Sequence, residues 1–204
     1  MMKSPLKIGM ILTILLMTAM PLWANVYTVV PTPSANLWNL GHDYYYTWGL
    51  TWDMDKPATS IYDIKLTFHN VWDWIDEDDD FLYTHLLDYA PQDAVIGYDG
   101  AENGDYFESA NYTGNEKLIG VWSDPYGGAP RDFDLTYSLR DLGLMNDVHT
   151  YINNDGVFGF GFDADCHYNN EGISLEITTV PEPATLLLFG LGLVGVRAYS
   201  RRKK

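Results

Sequence analysis

A single cysteine, Cys166, stands in 204 residues. A framework of intrachain disulfides is therefore excluded, and packing must hold the fold together. A Cys166–His167 nucleophilic pair is disfavoured as well, because sequence neighbours on a strand point to opposite faces. Positive charge is scarce in the middle of the chain. Of 28 acidic residues all but Glu182 lie between Asn25 and Val180, where only Lys56, Lys65, Lys117, Arg131 and Arg140 offset them. Such a field excludes nucleic acid and anionic lipid as partners of this region, and it favours divalent cations and basic surfaces. Hydrolase signatures are missing: there is no G-x-S-x-G and no H-E-x-x-H. The five histidines, His42, His69, His85, His149 and His167, are scattered. No enzyme is expected, and no catalytic residue is assigned.

What the middle does contain is alternation. Tyr46, Trp48, Leu50 and Trp52 fall on one face of an extended segment. Tyr62, Ile64, Leu66 and Phe68 alternate with Asp63, Lys65 and Thr67; Phe133, Leu135, Tyr137 and Leu139 alternate with Asp134, Thr136 and Ser138. Phe158, Phe160 and Phe162 alternate with glycine, and Ile173, Leu175 and Ile177 with polar residues. Period two with one apolar face is the mark of antiparallel sheets. Asn153-Asn154-Asp155-Gly156 and Asn169-Asn170-Glu171-Gly172 supply turn residues that tolerate positive φ. They predict a three-strand meander of Val148–Ile152, Val157–Phe162 and Ile173–Thr179. Further strands are expected near Val26–Val30, Phe81–Leu86 and Leu118–Trp122, with at most a helical turn near Leu142–Asn146. Tyr98–Gly114 is read as surface loop. Eight or nine strands in residues 25–179 predict an all-β domain, an antiparallel two-sheet sandwich with a jelly roll as one form of it.

Three surface features are candidates for binding. The acidic run Asp76-Glu77-Asp78-Asp79-Asp80 could supply oxygen ligands, Asp76, Asp78 and Asp80 among them, to Ca²⁺. It lacks the glycine of an EF-hand loop, and the favoured reading is a solvated turn whose charge also blunts a sheet edge. Asp163, Asp165, His167, Asn169 and Glu171 alternate, so on one continued strand they would share a face and could ligate a metal. A polar outer face is the competing reading. Trp72 and Trp74 flank Asp73 and could stack on sugar rings, or pack as cross-strand aromatics.

The two ends carry addresses. Lys3 and Lys7 precede an apolar run from Ile8 to Met20, and Pro21-Leu22-Trp23-Ala24 follows. That plan is a secretory signal peptide, residues 1–24. At the other end, Pro181-Glu182-Pro183 precedes an apolar segment, Ala184–Val196, and a basic end of Arg197, Arg201, Arg202, Lys203 and Lys204. Thirteen helical residues reach ~20 Å, short of a ~30 Å hydrocarbon core; extension to Ser200 with Arg197 snorkelling makes the span adequate. The cations should stay in the cytoplasm. Gly190-Leu191-Gly192-Leu193-Val194-Gly195 satisfies G-x-G-x-x-G, but no strand precedes it and no acidic residue follows. It reads as small residues in a membrane helix.

Val180-Pro181-Glu182-Pro183-Ala184-Thr185, the Leu- and Gly-rich segment after it and the basic end together resemble the PEP-CTERM sorting signal. The resemblance covers residues 180–204. It implies a protein of a Gram-negative-type bacterium that makes exopolysaccharide. The protein would be exported by the general secretion machinery, held at the inner membrane by the tail, and processed there by an exosortase. Cell surface or extracellular matrix is then the expected destination. A structural or adhesive role among exopolysaccharide follows, with a carbohydrate-binding module, or a polysaccharide-active enzyme, as alternatives.

Overall fold

A computed structural model describes residues 24–52, 57–74, 80–100, 104–108, 112–124 and 133–180. The signal-peptide segment, the apolar tail with its basic end, and Asp76 and Asp78 lie outside the described residues. Val26–Thr179 form one compact unit. Within it, alternation translates into strands: β1 (Asn25–Val29), β2 (Asn39–Leu40), β3 (Tyr44–Thr51), β4 (Ile61–Phe68), β5 (Trp72–Asp73) and β6 (Leu82–Leu87) come first. They are followed by β7 (Asp93–Tyr98), β8 (Lys117–Trp122), β9 (Leu135–Ser138), β10 (Val157–Ala164), β11 (Tyr168–Asn169) and β12 (Ile173–Thr179).

The strands form three sheets, of order β1-β12-β4-β9, β7-β3-β10-β6-β8, and β2-β11-β5. Every registered pairing within them is antiparallel. The two larger sheets share one apolar core. Ile64, Leu66 and Phe68 of β4 and Leu175 of β12 enter it from the four-stranded sheet; Trp48, Phe158, Phe160 and Phe162 enter from the five-stranded sheet. Phe68 and Phe162 meet edge to face, with ring centroids 5.3 Å apart, the geometry that ring quadrupoles prefer. Tyr62, expected on this face, is exposed, because the β4–β12 register shifts beside it, Thr178 pairing with Asp63 and Thr179 with Ile61.

The expected meander is corrected in two respects. Residues 145–155 form a helix, α1 (Met145–Asp155), and not a strand at Val148–Ile152. Val148, Tyr151 and Ile152 are its buried residues, spaced three and four apart, so a helical stripe was concealed behind a Val-x-x-x-Ile pair that also fits period two. Gly156 ends α1 at φ 82° and its N–H donates to the Ile152 carbonyl at 2.8 Å. A left-handed cap of this kind suits glycine because it has no Cβ to clash. The second correction is that β10 and β12 belong to different sheets. The Asn169–Gly172 turn therefore carries the chain from one layer to the other.

Two elements had no counterpart in the alternation reading. β7 pairs with β3 at the sheet edge. The small third sheet pairs Tyr168 with Leu40 and with Asp73, and this join positions the site described next.

Candidate functional site

At its C-terminal end β10 leaves the sheet at Ala164, bends through Asp165 and Cys166, and re-enters pairing at Tyr168. That bend separates the five alternating residues of this segment. Asp163, Asp165, His167, Asn169 and Glu171 do not line one continuous face; the bend leaves Asp163 and Asp165 in one setting and His167 in another, with Cys166 in a third.

Asp163 and Asp165 lie beneath the segment 104–108 on the outside of the five-stranded sheet. The Asp163 Oδ2 accepts the Tyr106 N–H and the Asp165 Oδ1 accepts the Gly104 N–H, each at 2.7 Å. Asp105 on that segment caps its own turn through the Phe107 N–H, 3.0 Å, and its Oδ2 lies 2.7 Å from His85 Nε2. The result is a clasp in which carboxylates grip a loop by its backbone. Gly161 makes room for it: a Cβ there would lie 2.6 Å from the Phe107 ring. Phe107 joins Leu87 and Ala90 in a second, smaller apolar cluster, with Tyr45 and Tyr106 stacked beside it at a 4.0 Å centroid distance. Phe-Gly-Phe-Gly-Phe thus serves two layers, rings inward to the main core and bare backbone outward to the loop. Burial first, then the charges of Asp99, Asp165 and Asp105, push the Asp163 carboxyl up to about 7. Burial raises Asp165 as well.

His167 faces elsewhere. Its ring stacks on Trp74 at 5.5 Å and meets His42 edge-on at 4.8 Å. Trp74 is 62 % exposed, so the three rings form an aromatic surface open to solvent. Trp72 lies in β5 opposite Asn169 and is half-buried. Only Trp74 of the two offers a free face.

The third setting is the most enclosed. Asp73 of β5, Asp80 and Cys166 place a carboxylate oxygen each, and a sulfur, within 4.8 Å of one another. No other convergence of three such donors occurs among the described residues. The cross-strand pair Tyr168–Asp73 brings them together, because it docks the Cys166 bend against β5. The Tyr168 hydroxyl donates to the Asp80 carbonyl at 2.9 Å, and the Asp73 N–H donates to Asp124 Oδ2 at 3.3 Å. Asp73, Asp80 and Asp124 are all buried. The Asp73 Oδ1 accepts the Trp74 N–H; its Oδ2 is buried with no hydrogen-bonding partner. Burial, and then the adjacent Asp80 carboxyl, push Asp73 up to about 7, against the moderating pull of the Cys166 thiol and the Trp74 N–H. Burial also pushes the Cys166 thiol up to about 12.

Of the residues proposed from sequence as metal ligands, Asp80 is brought into this cluster, whereas Asp163 and Asp165 are committed to the clasp. Asp73, Asp124 and Cys166 were not singled out as ligands. Asp73 sits between two tryptophans, and its only linear signal was proximity to the acidic run. A groove of about 390 Å³ opens elsewhere, beside β1, lined by Tyr27, Val29, Trp48, Trp52, Phe158 and Ile177 among others. It contains no cluster of ionisable groups.

No helix among the described residues is long and apolar enough to cross a membrane. Beyond β12 the chain enters its tail, and there a family model matches: the PEP-CTERM protein-sorting motif, at residues 179–203. The chain thus carries the sorting signal that Pro181, Glu182 and Pro183 suggested. The motif supports exosortase-dependent sorting of an exported protein toward the cell surface. No curated protein matches the chain.

Proposed function

We propose that this is a non-enzymatic structural or adhesive protein, delivered by an exosortase to the surface or extracellular matrix of an exopolysaccharide-producing cell. The sorting motif at residues 179–203 carries the proposal. Its parts have distinct tasks. Pro181-Glu182-Pro183 is the segment an exosortase recognises. The apolar residues hold that segment at the membrane, and Arg197, Arg201, Arg202, Lys203 and Lys204 stall translocation. The acidic β domain is the cargo. Its dense charge keeps it soluble and repels anionic lipid, so it leaves the membrane once the tail is cut. Replacing Pro181, Glu182 and Pro183 with alanine in the native host should leave an unprocessed, membrane-retained form. Unchanged processing and location would overturn the sorting role.

One observation favours a glycan-binding role for the same cargo. Trp74 is exposed and its ring is braced by His167. A planar aromatic surface held in place is what a pyranose ring stacks upon. A glycan array should show binding by the released protein that Trp74→Ala removes and that Trp72→Ala, at a half-buried position, does not remove selectively. Array signals that survive Trp74→Ala would dismiss this surface.

A further inference from the structure

The enclosed Asp73–Asp80–Cys166 cluster has no part in sorting or in the aromatic surface, yet its chemistry is specific. Two carboxylates have been brought into a buried space against a thiol. Asp73 is 0 % exposed, its Oδ1 is occupied by the Trp74 N–H, and its Oδ2 has no donor. No lysine, arginine or histidine among the described residues pairs with Asp73. Beside the Asp80 carboxyl and the weakly donating Cys166 thiol, a buried carboxylate with no counter-charge is unfavourable unless a proton or a cation compensates it.

We propose that Asp73, Asp80 and Cys166 form a binding site for a borderline divalent cation of the zinc class. The donor set decides the class. Calcium is bound by six to eight oxygens and has no use for sulfur. Zinc takes thiolate sulfur at about 2.3 Å and carboxylate oxygen at about 2.0–2.2 Å, and three protein ligands leave a position for water. Donors already within 4.8 Å of one another need only a small contraction to meet one ion. Two neighbours hold the ligands in place: Asp124 accepts the Asp73 N–H, and Tyr168 donates to the Asp80 carbonyl. Ligation breaks the Cys166 S–H bond as the metal–sulfur bond forms, and the proton passes to solvent. The inference extends beyond the proposed surface role: it gives the lone thiol of an exported chain a function that needs no second cysteine.

Asp76, Glu77, Asp78 and Asp79 will also attract cations, so the test must read sulfur. The full chain, purified in detergent and stripped with EDTA, is titrated separately with Zn²⁺, Ca²⁺ and Co²⁺. One Zn²⁺ per chain should bind and raise the melting temperature, since a ligand of the folded state alone stabilises it. Co²⁺ should give a thiolate-to-metal absorption band in the near ultraviolet. Cys166→Ser should abolish that band, and Asp73→Asn should weaken Zn²⁺ binding by at least about tenfold. Asp141→Asn, at an exposed position, should change neither. Circular dichroism confirms that each variant is folded; if Asp73→Asn is not, the Cys166→Ser spectrum decides. A Co²⁺ spectrum identical in wild type and Cys166→Ser overturns the proposal. So does Ca²⁺ binding as tightly as Zn²⁺, which would assign the cations to the acidic run.

Discussion

Raising the pH should weaken this protein through Asp163, the inner carboxyl of the clasp. It is buried at 2 % exposure and accepts the Tyr106 N–H. The groups facing it are Asp99, Asp105 and Asp165, with Tyr45 and Tyr83 opposite it on the flanking strands and His85 bound to Asp105. Burial and those charges raise its carboxyl to about 7. In the unfolded chain an aspartate loses its proton near 3.9. Between the two values the native state holds more protons, so stability falls as pH rises. The contribution is complete below about pH 4 and lost as pH passes through about 7. A shift of about three units corresponds to about 4 kcal/mol if Asp163 titrates alone. Sharing protons with acidic neighbours spreads this over the group, so about 2 kcal/mol belongs to the single site. Asp163→Asn keeps an oxygen for the Tyr106 N–H and removes the charge. Urea unfolding followed by tryptophan fluorescence, in EDTA at pH 4 to 8, reads the difference. The variant should match wild type near pH 4 and exceed it by about 2 kcal/mol at pH 8. If wild type and variant run parallel across this range, or if the variant loses ground as pH rises, the assignment of Asp163 is wrong.

Other substitutions probe the layers separately. Gly161→Ala drives a methyl toward the Phe107 ring, which a Cβ would approach to 2.6 Å; a loss of about 1–3 kcal/mol is expected in urea unfolding, with faster proteolysis in the 104–108 segment. Phe162→Ala empties the contact with Phe68 at the centre of the core and should cost about 3–5 kcal/mol, measured by the same unfolding curve. Gly156→Ala forces a Cβ onto a left-handed φ of 82°; thermal unfolding should register a loss of about 1 kcal/mol.

The strands that could be read directly were those with one wet face. In β4, Ile64, Leu66 and Phe68 point inward while Lys65 is exposed, and alternation states this outright. β12 behaves likewise. β10 gave its inner face through three phenylalanines, but its glycines read only as small residues. That they seat a loop became visible only with Phe107 in place. The α1 segment misled because Val148 and Ile152 satisfy two periods at once; Tyr151, buried beside them, breaks the tie in favour of a helix. The proposed metal face of Asp163 to Glu171 assumed a strand that continues. A bend at Asp165 and Cys166 ended it, and no alternation pattern encodes a bend.

The tail motif belongs to the linear sequence alone. Its Pro-Glu-Pro segment, apolar stretch and basic end are contiguous, so the sorting motif is legible without reference to any fold. The inward and outward faces of β4 and β12 are nearly as local, because side-chain direction repeats every two residues. Asp73, Asp80 and Cys166 are another matter. Ninety-odd residues separate the first from the last, and they converge only because Tyr168 pairs with Asp73 across two short strands. Donor atoms must meet in space to hold an ion, and meeting in space is a property of the pairing between distant segments, not of any one of them.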